Sequence, residues 1–210
     1  MTGRREIRAR FVSAFLVTML VGSALWCATA SAQTPGCVSV DQNKLRLRKV
    51  GEPGSRNQRI LFRGVFDVDP NATIDPLTTG LQFQMLDSAV GALIDVTLPG
   101  VGFQVGGFGW VANAGQTVWN WRDGGGQVSG IKRLVLKRQS SSSARISLFG
   151  QNLDFPLPTL PITIRVVLPG VGGGAQTCGE EVFRDTVCFF RNQGNKLICR
   201  TQGGRQPIGG

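Results

Sequence analysis

A segment of nine residues occurs twice in this chain, seventy positions apart. Ile94-Asp-Val-Thr-Leu-Pro-Gly-Val-Gly102 and Ile164-Arg-Val-Val-Leu-Pro-Gly-Val-Gly172 agree at seven positions. Each copy alternates apolar and variable residues and then stops at Leu-Pro-Gly. Proline removes a ladder donor and glycine accepts positive φ, so both copies read as β-strands ended in the same way. The likeness extends upstream. Leu45 and Leu47 alternate with basic residues, followed by a polar turn and a second alternating stretch through Ile60, Phe62 and Gly64. The later copy runs Leu134, Leu136, the turn Ser140 to Ser143, then Ile146, Leu148 and Gly150. The offset falls from 89 at the first strand to 70 at the last, so the first copy carries extra turn residues, part of them within 67–80.

Period-two stretches bounded by Gly, Pro, Asn and Ser recur along the chain, and no stretch keeps a 3.6 period for the length of a helix. Gly and Pro make up about a fifth of residues 33–210, below the roughly 25–30% that marks low complexity. The expectation is an all-β fold: an antiparallel β-sandwich of two tandem, similar units, about 37–122 and 123–201, burying their apolar faces together. Residues 202–210 are expected to form a flexible tail.

The first 32 residues read as a cleaved secretory signal peptide. Arg4, Arg5, Arg8 and Arg10 precede an apolar run from Phe11 to Trp26, and Ala30-Ser31-Ala32 supplies the small residues before a cut. The run is shorter than the roughly 18–20 residues that span a bilayer. Glu6 and Arg8 argue against the twin-arginine route, and Trp26 before Cys27 argues against a lipoprotein. Cleavage after Ala32 leaves 19 Lys and Arg against 12 Asp and Glu, with no second hydrophobic span. A periplasmic or extracellular destination follows.

That destination sets the reading of the four remaining cysteines, Cys37, Cys178, Cys188 and Cys199. An even set in an oxidising compartment implies two disulfides. Cys188 to Cys199 frames a hairpin in which Phe189 and Phe190 precede, and Leu197 and Ile198 follow, a turn at Gln193-Gly194. That arrangement favours Cys188 with Cys199 and Cys37 with Cys178, the second closing a long loop worth about 4 kcal/mol in the chain-entropy model. Cys178 with Cys188 needs only a local turn and remains open as the alternative. A four-thiolate metal site lacks any Cys-x-x-Cys spacing.

Gly109-Trp110, Trp119-Asn-Trp121-Arg-Asp, the strand Ile131 to Leu136 and Cys178-Gly-Glu-Glu-Val-Phe183 together resemble a pattern in exported bacterial β-rich repeat proteins of unknown function. The resemblance covers roughly Leu45 to Phe183. It implies a β-rich exported fold and no particular activity.

Three groups of residues are candidate sites. Trp110, Trp119 and Trp121 form a possible ligand platform, because Trp119 and Trp121 share one face of a strand and indoles pack on sugar rings; core filling is the favoured reading. Arg46, Arg48 and Lys49 in the first copy, and Lys132, Arg133, Lys137 and Arg138 in the second, make a possible polyanion patch, against the alternative of solvated charges guarding a sheet edge. Asp67, Asp69, Asn71 and Asp75 place oxygens at alternate positions as a calcium loop does, although Ala72, Pro70 and the missing Glu also fit ordinary turns.

The chain contains no histidine, which removes Ser-His-Asp and Cys-His catalysis and imidazole metal sites. Ser129-Gly-Ile-Lys132 spells Ser-x-x-Lys, but Gly130 and the strand after it deny the helix that spacing needs. Glu180, Glu181, Asp123 and Asp154 are the pool for a histidine-independent carboxylate hydrolase, with no spacing that selects a pair. The sequence therefore favours a non-enzymatic exported protein of structural or ligand-binding type, without a cofactor. Binding of acidic polysaccharide or the envelope surface is the alternative, and nucleic acid is disfavoured because aromatics do not interleave with the basic residues.

Overall fold

Apolar side chains at every second position, with Arg, Lys, Ser and Gln between them, give strands that are buried on one face and solvated on the other. The computed structural model describes residues 36–52 and 54–201. Its strands are β1 (Cys37–Arg48), β2 (Gln58–Asp67), β3 (Leu81–Asp87), β4 (Gly91–Leu98), β5 (Phe108–Ala112) and β6 (Val118–Asp123). They continue with β7 (Ile131–Arg138), β8 (Ser143–Leu153), β9 (Ile162–Leu168), β10 (Thr177–Phe183), β11 (Cys188–Arg191) and β12 (Lys196–Arg200). A single helical turn, α1 (Pro76–Thr79), lies within the extra residues of the first copy. The expected signal peptide, 1–32, and the tail, 202–210, lie outside the described residues.

All twelve strands belong to one mixed sheet. Its main path runs β4-β3-β9-β10-β1-β2-β8-β7-β6-β5, with β12 joining both β1 and β11. The pivot is β1. Its first residues pair in parallel with β10, Cys37 opposite Cys178, whereas Lys44 to Arg48 pair antiparallel with β12 on one side and β2 on the other. The change of partner falls at a bulge between Asp41 and Lys44, where Gln42 takes a φ of 51°. An extra residue there turns the strand and lets one segment serve two parts of the sheet.

The sheet nearly closes as a barrel. The segment after β4 lies against β5, with Trp110 N donating to Val101 O at 2.8 Å and Phe103 N to Trp110 O at 2.9 Å. Inside, Phe62 of β2 meets Phe83 of β3 with ring centroids 6.0 Å apart, although these strands are far apart along the sheet path. One continuous cluster of buried Leu, Ile, Val, Phe and Trp fills the interior.

The repeated segments occupy matching places. They are β4 and β9, and they flank β3 on its two sides: Met85 pairs with Ile94 and Ile164, Gln84 with Asp95 and Arg165, Phe83 with Val96 and Val166. Likewise Phe62 stands opposite Leu148, while Ile60 faces Gly150 and Gly64 faces Ile146. A Cβ on Gly150 would come 2.9 Å from Ile60 Cγ2, so the glycine makes room for the isoleucine across from it. Residues 37–122 and 123–201 interleave through these pairings, since β2 bonds to β8 and β3 to β9.

Candidate functional site

Two disulfides anchor the pivot region. Cys37 is bonded to Cys178 and Cys188 to Cys199, with Cα separations of 4.4 and 4.0 Å. These are the pairs that the hairpin argument favours. The first ties the start of β1 to β10; the second holds β11 onto β12, which then lies beside β1.

That arrangement assembles a basic face. Residues opposite one another on neighbouring strands project to the same side. Lys44 stands between Arg200 and Arg63, and Arg48 between Lys196 and Arg59. Arg46 lies between these rows, with Ile198 and Leu61 as its neighbours. Farther across, Arg145 pairs with Lys137, and Arg133 with Arg122. Arg191 flanks Lys196 at the β11 edge. The core-facing partners of these cations, Leu45, Leu47, Ile60, Phe62, Leu134, Ile146 and Leu148, are fully buried, so the alternation fixes the cations on the outside.

No carboxylate interrupts the rows from Lys44 to Arg48 and from Arg63 to Arg59; Asp41 and Asp67 come only at the far end, opposite Val65 and Ser143. Among the described residues, none of these cations forms an ion pair with a carboxylate. Their mutual repulsion is legible in two lysines. Arg200, then burial, then Arg46 and Arg63 hold the Lys44 ammonium below its ordinary pKa. Burial and the nearby Arg46, Arg48, Arg191 and Arg200 do the same to Lys196. Two of the concavities on this face lie over β1, β2 and β8: one of about 370 Å³ contains Lys44, Arg63 and Arg145, and one of about 200 Å³ contains Arg46, Arg48 and Arg59 over Leu61 and Phe149.

Of the basic residues singled out in the sequence, Arg46, Arg48, Arg133 and Lys137 lie on this face. Lys49 sits at its corner beside Arg48 and Lys196, in a turn where its amide donates to Asn195 O at 2.7 Å. Lys132 and Arg138 bond backbone carbonyls at the two ends of β7. Lys132 Nζ donates to Gly124 O at 2.6 Å, and the Arg138 guanidinium bonds Ser140 O and Ser141 O in the β7–β8 turn. Sequence reading missed Lys44, Arg59, Arg63, Arg145, Lys196 and Arg200. Each occupies the polar phase of an alternating strand, a signal present in the sequence; their gathering depends on strand pairing, which that signal does not supply.

The tryptophans are not an exposed platform. Trp110, Trp119 and Trp121 are at most 1% exposed. Trp110 and Trp121 pack edge to face at 5.5 Å, and their indole N–H groups donate to Pro99 O and Ile131 O. The strand phase that places Trp119 and Trp121 together faces inward, where their large apolar area fills the core.

The residues of the calcium spacing serve turns. Among the described residues no three His, Cys, Asp or Glu groups come together to hold a metal ion. Asp69 instead accepts the Asn71 amide at 2.8 Å as an Asx turn, and Asp75 caps α1 by accepting from Leu77 N and Thr78 Oγ1. The carboxylate pool is dispersed among structural tasks. Glu180 bonds Arg165 Nε at 2.9 Å, Asp123 accepts the Val128 amide at 2.7 Å and Asp154 the Gly54 amide at 2.6 Å. Glu181 sits partly buried near Asn43 and Asp41, and burial, partly offset by the Asn43 hydrogen bond and reinforced by the Asp41 charge, pushes its carboxyl up to about 7.

No helix among the described residues is long and apolar enough to cross a membrane. No protein-family model, no curated protein and no solved structure matches the chain.

Proposed function

We propose that this chain is an exported protein that binds the anionic surface of a cell envelope through the outer face of β12, β1, β2, β8 and β7. The observation that carries this reading is the set of cross-strand cation rows uninterrupted by a carboxylate. A cluster of one sign raises the local concentration of opposite charge and speeds encounter with it. Edge protection accounts for these charges less well, because β1, β2 and β8 lie inside the sheet rather than at an edge. The two disulfides suit an oxidising compartment, in agreement with the signal peptide expected at residues 1–32 and with the resemblance to exported bacterial β-rich proteins. Within the same reading, the fold descends from a duplicated unit, whose copies pair about Phe62 and Leu148 and about β3; the matched registers support it.

The test is salt-dependent retention on immobilised heparin and on lipopolysaccharide. The wild-type chain should be retained at low salt and released as salt screens the contact. The triple variant Arg46→Gln, Arg59→Gln, Arg63→Gln should elute early, while Lys132→Gln with Arg138→Gln should elute with the wild type. Early elution of the wild type from both supports, or equal retention of the triple variant, would remove this reading.

A further inference from the structure

The basic face is not uniformly charged. The cations of β1, β2 and β8 line two concavities at its centre, Arg46, Arg48 and Arg59 in one and Lys44, Arg63 and Arg145 in the other, while Lys49 and Lys196, and Arg200, line hollows toward the β12 side. Arg48 and Lys44 are four residues apart on β1, as are Arg59 and Arg63 on β2. At ~3.3 Å per residue the two centres lie about 13 Å apart. Three cations around one concavity outnumber the single charge of a carboxylate or a sulfate monoester. They suit a phosphomonoester, which carries about −1.5 to −2 charge and three acceptor oxygens near neutral pH. Guanidinium forks add bidentate geometry toward phosphate oxygens.

Between and beside the two centres the surface turns apolar. Leu61 and Phe149 stand side by side across β2 and β8 and line the arginine concavity. At the β11 edge, Phe189 is 39% exposed, lies 5.0 Å beneath the Arg191 guanidinium and lines a hollow with Lys44 and Arg200. Aromatic side chains left in water beside cations are the composition of a surface that meets the headgroup and acyl boundary of an anionic lipid. A free acidic polysaccharide makes less use of the apolar surface at Leu61, Phe149 and Phe189.

Resting on the reading above, we infer that the ligand is a glycolipid headgroup bearing two phosphomonoesters, one seated at each concavity, with its sugar body over Leu61 and Phe149 and its acyl region toward Phe189. Two linked phosphates engage both centres at once, and the second contact benefits from the effective concentration set by the first.

The experiment measures binding of the full exported chain to phosphatidylcholine vesicles carrying either diphosphoryl lipid A or twice as much monophosphoryl lipid A, so that total phosphate is equal. The wild type should bind the diphosphoryl vesicles about tenfold more tightly. Arg48→Gln with Arg59→Gln, and separately Arg63→Gln with Arg145→Gln, should each abolish that preference while circular dichroism and thermal midpoint stay unchanged. Equal affinity for the two vesicles, or a preference that survives both double variants, overturns the two-phosphate inference. If heparin retention holds while neither vesicle is bound, the inference fails and the wider anionic-surface reading stands. Loss of heparin and lipopolysaccharide retention removes both.

Discussion

Arg165 on β9 and Glu180 on β10 stand opposite one another and bond at 2.9 Å, with the glutamate only 4% exposed. The pair belongs to a polar ladder across four strands. Gln84 on β3 lies 3.4 Å from Arg165 Nη1 through its Oε1 and donates to Asp95 Oδ2 on β4 at 3.0 Å, and Gln82 donates to Asp95 Oδ1 at 2.8 Å. Asp95 and Arg165 are the same position in the two copies of the repeated segment. The divergence between the copies therefore puts opposite charges on the two sides of Gln84, while the basic face on β1, β2 and β8 keeps its cations unmatched.

Removing one member of the pair takes the opposite charge away from the other. Arg165→Met should lower stability by about 3 kcal/mol, since the remaining Glu180 is then a buried charge without its guanidinium. Adding Glu180→Leu should recover most of that loss. Urea denaturation of the two single variants and the double variant measures it; additive losses would show that the two side chains act separately.

The two disulfides should differ in weight. Cys37 and Cys178 are 141 residues apart in sequence, Cys188 and Cys199 only 11. In the chain-entropy model, the longer loop constrains the unfolded chain more. Replacing Cys37 and Cys178 by Ala should cost about 5 kcal/mol or prevent folding, and replacing Cys188 and Cys199 about 2 to 3 kcal/mol. Non-reducing peptide mapping together with thermal unfolding of each double variant decides the order. The shorter bridge holds β11, so its loss should also weaken anion retention by freeing Arg191 and Phe189 from the face.

Strand phase and the Cys188–Cys199 pairing were legible because both are local, and Cys37 with Cys178 followed as the remaining pair. Leu45 and Leu47 announce their burial by alternation alone, and Cys188 and Cys199 are equidistant from a turn. The basic face was only half legible. Arg46 and Arg48 stand in one alternating run, but Arg59, Arg63, Lys196 and Arg200 join them only because β1 is flanked by β2 and β12, a pairing between segments far apart in sequence. The Trp110, Trp119 and Trp121 cluster was legible as a shared face but not as to which side that face turns, since a period of two names two faces and ranks neither. The bulge at Gln42, which sends β1 from β10 to β12, left no mark in composition at all.

Stability should be greatest in mildly acidic solution. Glu181 has its folded pKa raised to about 7 from 4.5, so the native state binds more protons than the unfolded chain between those values. Stability then falls as pH rises through that window, and the cost of the buried charge is complete above it. Discounted for partial exposure, the effect is on the order of 2 kcal/mol. Asp87 acts in the opposite sense. Burial works to raise its pKa, but the amides of Val90, Thr159, Ala89 and Gly91 together outweigh burial and lower it. Its contribution is present above the unfolded value and is lost as pH falls through the lowered folded value. Denaturant midpoints should therefore be highest at about pH 4 to 4.5, between the unfolded values of the two groups. Glu181→Gln should flatten the alkaline slope, and Asp87→Asn the acid one; a slope unchanged by its own substitution would assign it to other groups.

The opposition of Ile60 and Gly150 makes a last, sharper test of the paired copies. An added Cβ at Gly150 would lie 2.9 Å from Ile60 Cγ2, 3.1 Å from Ile131 Cδ1 and 3.3 Å from Gly130 O. Ile60 is fully buried, so its methyl has little room to retreat. Gly150→Ala should cost about 2 kcal/mol by overpacking. Ile60→Ala alone should cost about 3 kcal/mol by leaving a cavity. In the double variant the new methyl enters the space the isoleucine has vacated, so the combined loss should fall below the sum by at least about 1 kcal/mol. Strict additivity in a double-mutant cycle would mean that the two positions do not share that space and that the register placing Ile60 opposite Gly150 is wrong.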